Sequence, residues 1–216
     1  DDLDGFPGEV GSEGDPVTLA RKRAGTYPNS KLLMISTPGI RGISRIEREY
    51  QAGDQRRFFI PCPHCGHADF LTWNGFGDFV SKRDPDHMRI EWDEGQPETA
   101  AAVCTGCQRR IEERWKPWMF ERGEWRPTAV GRPGLASYRL SGLYSPLGWT
   151  SWAQCAAEWL ALQGNPVQLK TFVNTILAET WEDTGAGAES NTILDRRESY
   201  AAQVPAGVGI LTASID

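Results

Sequence analysis

Two C-x-x-C pairs, Cys62-Pro63-His64-Cys65 and Cys104-Thr105-Gly106-Cys107, constrain the fold of this chain more than any other feature. Each pair puts two thiolates on one tight turn, where both reach a single ion at about 2.3 Å. Two such turns complete a tetrahedron and leave no open position, which is the chemistry of a structural zinc rather than a catalytic one. Gly66 and Gly106 allow the backbone to bend, and Pro63 stiffens the first turn. The alternative is a pair of disulfides. C-x-x-C loops are strained for that, and nothing else in the sequence suggests an oxidising compartment. His64 and His67 flank the first pair and could substitute as ligands, but four thiolates already fill the set. Cys155, the fifth cysteine, lies in an apolar helical pattern and reads as a small buried hydrophobe.

The gap between the pairs is long enough for a hairpin, because residues 68–73 and 87–92 both alternate as strands do. Upstream, Asp15 suits an N-cap, Pro16 the first helical position and Gly25 a stop. Lys31-Leu32-Leu33-Met34-Ile35-Ser36 is a continuous apolar run of the kind found in buried parallel strands. It ends in Ser36-Thr37-Pro38-Gly39, and loops at the carboxyl ends of such strands are where open α/β sheets make ligand contacts. Ser44-Arg45-Ile46-Glu47 forms a capping box opening a helix to about Ala52, and Arg56 to Ile60 reads as a strand leading into the first knuckle. Farther on, Thr150 can cap a helix with Trp152, Cys155, Ala156 and Trp159 on one stripe and Gly164 at its end. Asn165-Pro166 starts another, with Leu169, Phe172, Val173, Ile176 and Leu177 as its apolar face. A short polar helix around Leu194 to Tyr200 then leads into a terminal strand.

Composition narrows the function class. Of 216 residues, 39% are hydrophobic and 24% charged, with no apolar run near the roughly 18 residues a membrane span requires. The formal charge of −6 argues against a histone-like binder but leaves room for a local basic groove. Arg21-Lys22-Arg23, Arg56-Arg57 and Arg109-Arg110 read as solvated faces, interleaved with Glu47, Glu49, Glu112 and Glu113. Arg41 and Arg45, beside the Ser36–Gly39 loop, are the pair best placed to meet DNA phosphate. Trp152, Trp159 and Trp181 fit helical stripes and a core role, whereas Trp115, Trp118 and Trp125 either pack the cysteine module onto its neighbours or face a partner. The start at Asp1-Asp2, without Met, and the apolar strand pattern ending at Asp216 lead us to expect an internal fragment of a longer protein.

In order and spacing the segments resemble the large terminase subunit of lambda-type tailed phages, the motor that packages DNA into procapsids. The resemblance rests on Asp1-Asp2 in the Walker B position, Glu13-Gly14-Asp15-Pro16, Ser36-Thr37-Pro38 with Arg41-Gly42, and Ile46-Glu47-Arg48. It continues through Pro61-Cys62-Pro63-His64-Cys65-Gly66, Tyr144-Ser145-Pro146, Lys170 to Thr175 with Glu179-Thr180-Trp181, and Leu211-Thr212-Ala213 with Ile215-Asp216.

The resemblance implies an α/β chain: the C-terminal part of a P-loop (RecA-like) ATPase sheet over 1–57, a zinc-binding ribbon-like insertion over 58–115, and a remaining ATPase or helical segment over 116–185. A linker over 186–206 and the first strand of an RNase H-like nuclease over 207–216 complete it. On that map Asp1 holds the magnesium of bound ATP, and Asp2 orients the attacking water with an arm one methylene shorter than the family's Glu. Ser36 and Thr37 form the coupling motif, with Thr37 beside the nucleotide, and Asp216 is the first magnesium-binding carboxylate of the nuclease. The zinc ligands are Cys62, Cys65, Cys104 and Cys107. The parent would couple ATP hydrolysis to DNA translocation and cut concatemers, with double-stranded DNA, a small terminase subunit and the portal protein as partners. It would act as a homo-oligomer in the host cytoplasm, off any membrane. No G-x-x-x-x-G-K-[ST] loop is present, so the chain by itself is expected to be inactive. Two alternatives stay open: a zinc-ribbon module that binds nucleic acid or protein, and an inactive prophage remnant.

Overall fold

The first knuckle grows directly out of a strand. β1 (Arg56–Pro61) carries the chain into Cys62, and β2 (Ala68–Asp69) returns antiparallel from it, with Ile60 opposite Asp69. The computed structural model describes residues 2–73 and 86–182, all within one compact unit, Asp1–Glu182. β1 is the hub of a first sheet. It also pairs antiparallel with β7 (Glu124–Arg126) and parallel with β8 (Tyr138–Arg139). A second sheet has the order β3-β4-β5-β6, from β3 (Leu71–Trp73), β4 (Met88–Asp93), β5 (Gln96–Val103) and β6 (Arg110–Ile111). The second knuckle is the β5–β6 turn.

The strands expected at 68–73 and 87–92 form, but not as one hairpin. β3 and β4 run parallel, with Leu71 opposite Met88, and the hairpin of this module is β4–β5. Turn chemistry decides between them. Gly95, at φ +71°, closes β4 onto β5, whereas the stretch between β3 and β4 has the dozen or so residues a parallel crossover needs.

Helices follow their local signals closely. α1 (Pro16–Ala24) is capped by Asp15, whose carboxylate accepts from Thr18 N at 2.8 Å. α2 (Arg45–Ala52) is capped by Ser44, but the box is only half formed. The Glu47 carboxylate is drawn instead to Gly42 N and the Thr180 hydroxyl. α3 (Lys116–Glu121) follows the second knuckle. α4 (Trp152–Ala161) starts one residue later than expected, capped by Ser151 rather than Thr150, because Ser151 and Gln154 complete a reciprocal box. α5 (Pro166–Thr175) begins behind Asn165.

The core lies where α4 and α5 cover the second sheet. Trp152, Cys155, Ala156 and Trp159 are buried from α4, and Leu169, Phe172 and Val173 from α5. Trp159 meets Trp73 and Phe172 at ring-centroid distances of 6.0 and 5.4 Å, and Trp73 meets Trp92 at 5.1 Å. Trp181 is buried as well. Trp125 packs on Phe58 of β1 and Tyr138 of β8, within the first sheet, and Trp115 packs on Trp118 and on His64 of the first knuckle.

One expected element is missing. Residues 31–36 form no strand, and Leu32, Leu33 and Ile35 are exposed. A buried parallel strand needs neighbours that take up its backbone groups on both edges. Among the described residues, the backbone bond recorded there is Leu3 N to Ile35 O, at 3.2 Å. No described helix is long and apolar enough to cross a membrane. The expected helix at 194–200 and strand at 207–216 lie outside the described residues.

Candidate functional site

Both knuckles are built on the same backbone pattern. Cys62 N donates to His67 O and Gly66 N to Cys62 O; Cys104 N donates to Arg109 O and Gln108 N to Cys104 O. The residue after the second cysteine takes a left-handed conformation in each, Gly66 at φ +77° and Gln108 at φ +56°. Gly106 has a different task from the one its type suggested. Its φ is ordinary, but a Cβ there would stand 2.9 Å from the Cβ and Cγ of His67, so the glycine lets the two knuckles close on each other.

That closure brings four free thiols together. Cys62 Sγ lies 3.9 Å from Cys107 Sγ and Cys65 Sγ 3.7 Å from Cys104 Sγ, and all four lie within 4.8 Å of one another. Four sulfurs at about 2.3 Å from a common centre stand about 3.8 Å apart, so the spacing fits one tetrahedral ion. Disulfides, at about 2.05 Å, do not fit it. Burial pushes the Cys62 thiol up and the Cys104 thiol up to about 12, although backbone N–H groups are aimed at both sulfurs. The Arg109 N–H draws Cys107 down. Buried sulfurs surrounded by N–H donors are ready for the charged form once a cation offsets their desolvation. The imidazoles are engaged elsewhere. His64 Nε2 lies 3.3 Å from Arg110 O, and His67 packs against Gly106. Cys155 stands apart in the core, its thiol pushed up to about 11 by burial.

The ion would join the two sheets, since Cys62 and Cys65 follow β1 and Cys104 and Cys107 follow β5. Two residues that sequence reasoning missed fasten the same seam. Asp69, 3% exposed, accepts from Phe70 N (2.8 Å) and Met88 N (2.7 Å), from the Thr105 hydroxyl (3.0 Å), and pairs with His87 Nδ1 (2.8 Å). Tyr144 donates to Phe58 O and accepts from Leu71 N, both at 2.8 Å, and burial raises its phenol. A carboxylate just past a C-x-x-C knuckle is the only sequence signal for Asp69.

The second constellation lies at the N-terminal turn. Leu3 N reaches Ile35 O, and Asp4 N donates to Ser36 Oγ at 3.0 Å. The Asp4 carboxylate accepts from Gly39 N (2.9 Å) and Ile46 N (2.8 Å). Asn174 Nδ2 holds the loop from the other side through Pro38 O (2.6 Å) and Gly39 O (2.7 Å). Asp2, in a left-handed conformation at φ +55°, is thus two residues from a side chain tied to the Ser36–Gly39 loop, on which Thr37 is exposed. Asp1 and Asp216 lie outside the described residues. Arg41 pairs with Glu182, and Arg45 reaches Pro7 O and Asp15, so each has an acceptor within the chain.

Comparison with known proteins gives two family matches: the phage terminase large subunit gpA ATPase domain over residues 1–125, and the gpA endonuclease domain over residues 135–216. The large terminase subunit of Enterobacteria phage P21 is 33% identical and that of Escherichia phage lambda 31% identical. Each alignment covers 100% of this chain and 35% of the relative. No solved structure matches. With the ATPase-domain match running through both knuckles and the endonuclease-domain match following it, the chain, a mixed α/β fold, belongs to the gpA family of phage terminase large subunits.

Proposed function

We propose that this chain is part of a DNA-packaging motor that couples ATP hydrolysis to translocation of double-stranded DNA into procapsids and cuts concatemeric DNA. Residues 1–57 contribute the acid pair and coupling loop of the ATPase, and 58–115 a zinc-binding insertion. The observation that carries the ATPase reading is the Asp4 network, which sets the turn after Asp1-Asp2 against Ser36 and Gly39. An acid that positions magnesium and a hydroxyl loop that senses the γ-phosphate must face one nucleotide, and the contacts of Asp4 with Ser36 and Gly39 support that reading. Movement of the Ser36–Gly39 loop would reach α5 through Asn174 and α2 through the Asp4 contact to Ile46 N.

The insertion is held by zinc on Cys62, Cys65, Cys104 and Cys107, supported by the sulfur spacing. Zinc there is structural: it supplies the charge that lets four thiolates sit between the two sheets, and it leaves no position for substrate. ATP and magnesium belong to the parent's nucleotide and nuclease sites, the latter including Asp216. Small terminase subunit, portal protein and further copies of the motor are the proposed partners, in the host cytoplasm.

The test has two arms. The 216-residue chain, lacking a phosphate-cradling loop, is expected to show no magnesium-dependent ATP turnover and no DNA cleavage. In a full-length terminase carrying these residues, Asp1→Asn is expected to abolish ATP turnover. Turnover that survives Asp1→Asn would overturn the ATPase reading.

A further inference from the structure

Asn174 is the polar residue among the buried side chains of α5, beside Leu169, Phe172 and Val173. An amide placed there is costly unless its hydrogen bonds are made. Its Nδ2 lies 2.6 Å from Pro38 O, 2.7 Å from Gly39 O and 2.9 Å from Glu179 O, so one amide group ties the Ser36–Gly39 loop to the stretch that follows α5. A second set of contacts fastens the same places. Ala178 takes a left-handed conformation at φ +52°, uncommon for a residue with a Cβ, and strain of this kind persists only where the surroundings impose it. Beyond that turn, Ile40 and Trp181 form a parallel bridge, in which Trp181 N donates to Gly39 O and Arg41 N to Trp181 O, both at 2.9 Å. Trp181 is buried. The Glu47 carboxylate spans the seam, accepting from Gly42 N at 2.9 Å and from the Thr180 hydroxyl at 3.0 Å.

The loop is thus clamped from two sides. Asp4 fastens it to the turn after the acid pair, while Asn174 and Trp181 fasten it to the stretch that ends this compact unit at Glu182, from which the sequence runs on to Asp216. The second clamp crosses a family boundary. Its loop side falls within the match to the ATPase domain, and residues 174–182 fall within the match to the endonuclease domain. Elements joined by several short hydrogen bonds and a buried ring shift together, because packed contacts hold discrete arrangements and do not deform continuously.

We propose that Asn174 is a positioning residue that ties the Ser36–Gly39 loop to residues 179–182, so that a change in the loop on ATP binding or hydrolysis is delivered to the segment leading toward the nuclease and sets the rate of DNA cleavage. This inference rests on the ATPase reading of the loop and deepens it. Asn174 acts through the carbonyls of Pro38 and Gly39 and needs no contact with nucleotide or metal.

Two readouts test it. In the 216-residue chain, hydrogen exchange at the Arg41 and Trp181 amides reports the clamp itself. Asn174→Ala is expected to speed exchange at both by about tenfold or more, with β4 and β5 exchanging as in the wild type. In a full-length terminase carrying these residues, DNA cleavage is followed with and without ATP, alongside ATP turnover. Asn174→Ala is expected to keep ATP turnover with KM within about twofold. The ratio of cleavage rates with and without ATP is expected to move about fivefold or more toward one. Thr180→Val drops only the hydroxyl held by Glu47 and serves should Asn174→Ala fail to fold. It is expected to act in the same direction with a smaller effect, and Thr180→Ser to behave as the wild type. Four results would overturn the proposal: unchanged exchange at the two amides, wild-type cleavage that does not respond to ATP, a full ATP response in the folded variants, or turnover and ATP response falling together, as a merely structural role requires. Turnover that survives Asp1→Asn would instead strike the ATPase reading, so the two failures are told apart.

Discussion

Replacing Asp69 with alanine removes the carboxylate at the seam between the two sheets. It accepts from two backbone N–H groups, Phe70 at 2.8 Å and Met88 at 2.7 Å, and Met88 is fully buried. Each buried N–H left unmade costs about 1–3 kcal/mol, which gives about 2–6 kcal/mol for the pair before the loss of Thr105 and His87 is counted. For a domain with about 5–15 kcal/mol of total stability, this is a large share. Thr105 lies between two of the cysteines, so freeing its hydroxyl also loosens the second knuckle, and partners of this kind alter metal affinity about 10–100-fold. Urea unfolding of the zinc-loaded chain reads the first effect, and competition with a chromophoric chelator reads the second. Asp69→Asn, which keeps one acceptor oxygen, is expected to fall between wild type and alanine. A loss below about 1 kcal/mol with an unchanged urea slope would refute the reasoning, since the N–H groups would then have found other acceptors.

Two more predictions rest on single contacts. Gly106→Val sets carbon where the His67 ring already stands, 2.9 Å away, and is expected to cost about 1–3 kcal/mol by thermal melting, against a negligible cost at open Gly95 if the residue there tolerates a positive φ, as asparagine does. Acid should destabilise the chain: the Thr18 N–H holds the Asp15 carboxyl below its usual range and the Ser137 N–H does the same for Asp54. That stability is fully present above about pH 4 and is lost as pH falls through the lowered values, so Asp54→Asn is expected to show a shallower fall in melting temperature between neutral and acid pH.

What could be read from residues alone was what depends on near neighbours. The caps at Asp15, Ser44 and Asn165, the buried stripes of α4 and α5, and the two cysteine turns are set by spacings of two to four residues, where side-chain chemistry meets its own backbone. Partners far along the chain were not legible. Asp69 acts on residues 18 and 36 positions away, Tyr144 on 73 and 86, and Asn174 on 135 and 136. Nothing in local pattern marks such side chains. The apolar run at 31–36 misled for a related reason: periodicity reports a wish to be buried, while a strand also requires neighbours, and the described chain supplies little there. The parallel pairing of β3 with β4 was hidden because alternation is the same in either direction.

One zinc ion on Cys62, Cys65, Cys104 and Cys107 is expected to hold the two sheets together. Elemental analysis of the purified chain, with X-ray absorption at the zinc edge, tests this most directly. The prediction is one zinc per chain with four sulfurs at about 2.3 Å, and a melting temperature that drops when a strong chelator removes it. Zinc-free protein that melts unchanged, or a shell containing nitrogen in place of sulfur, would contradict it.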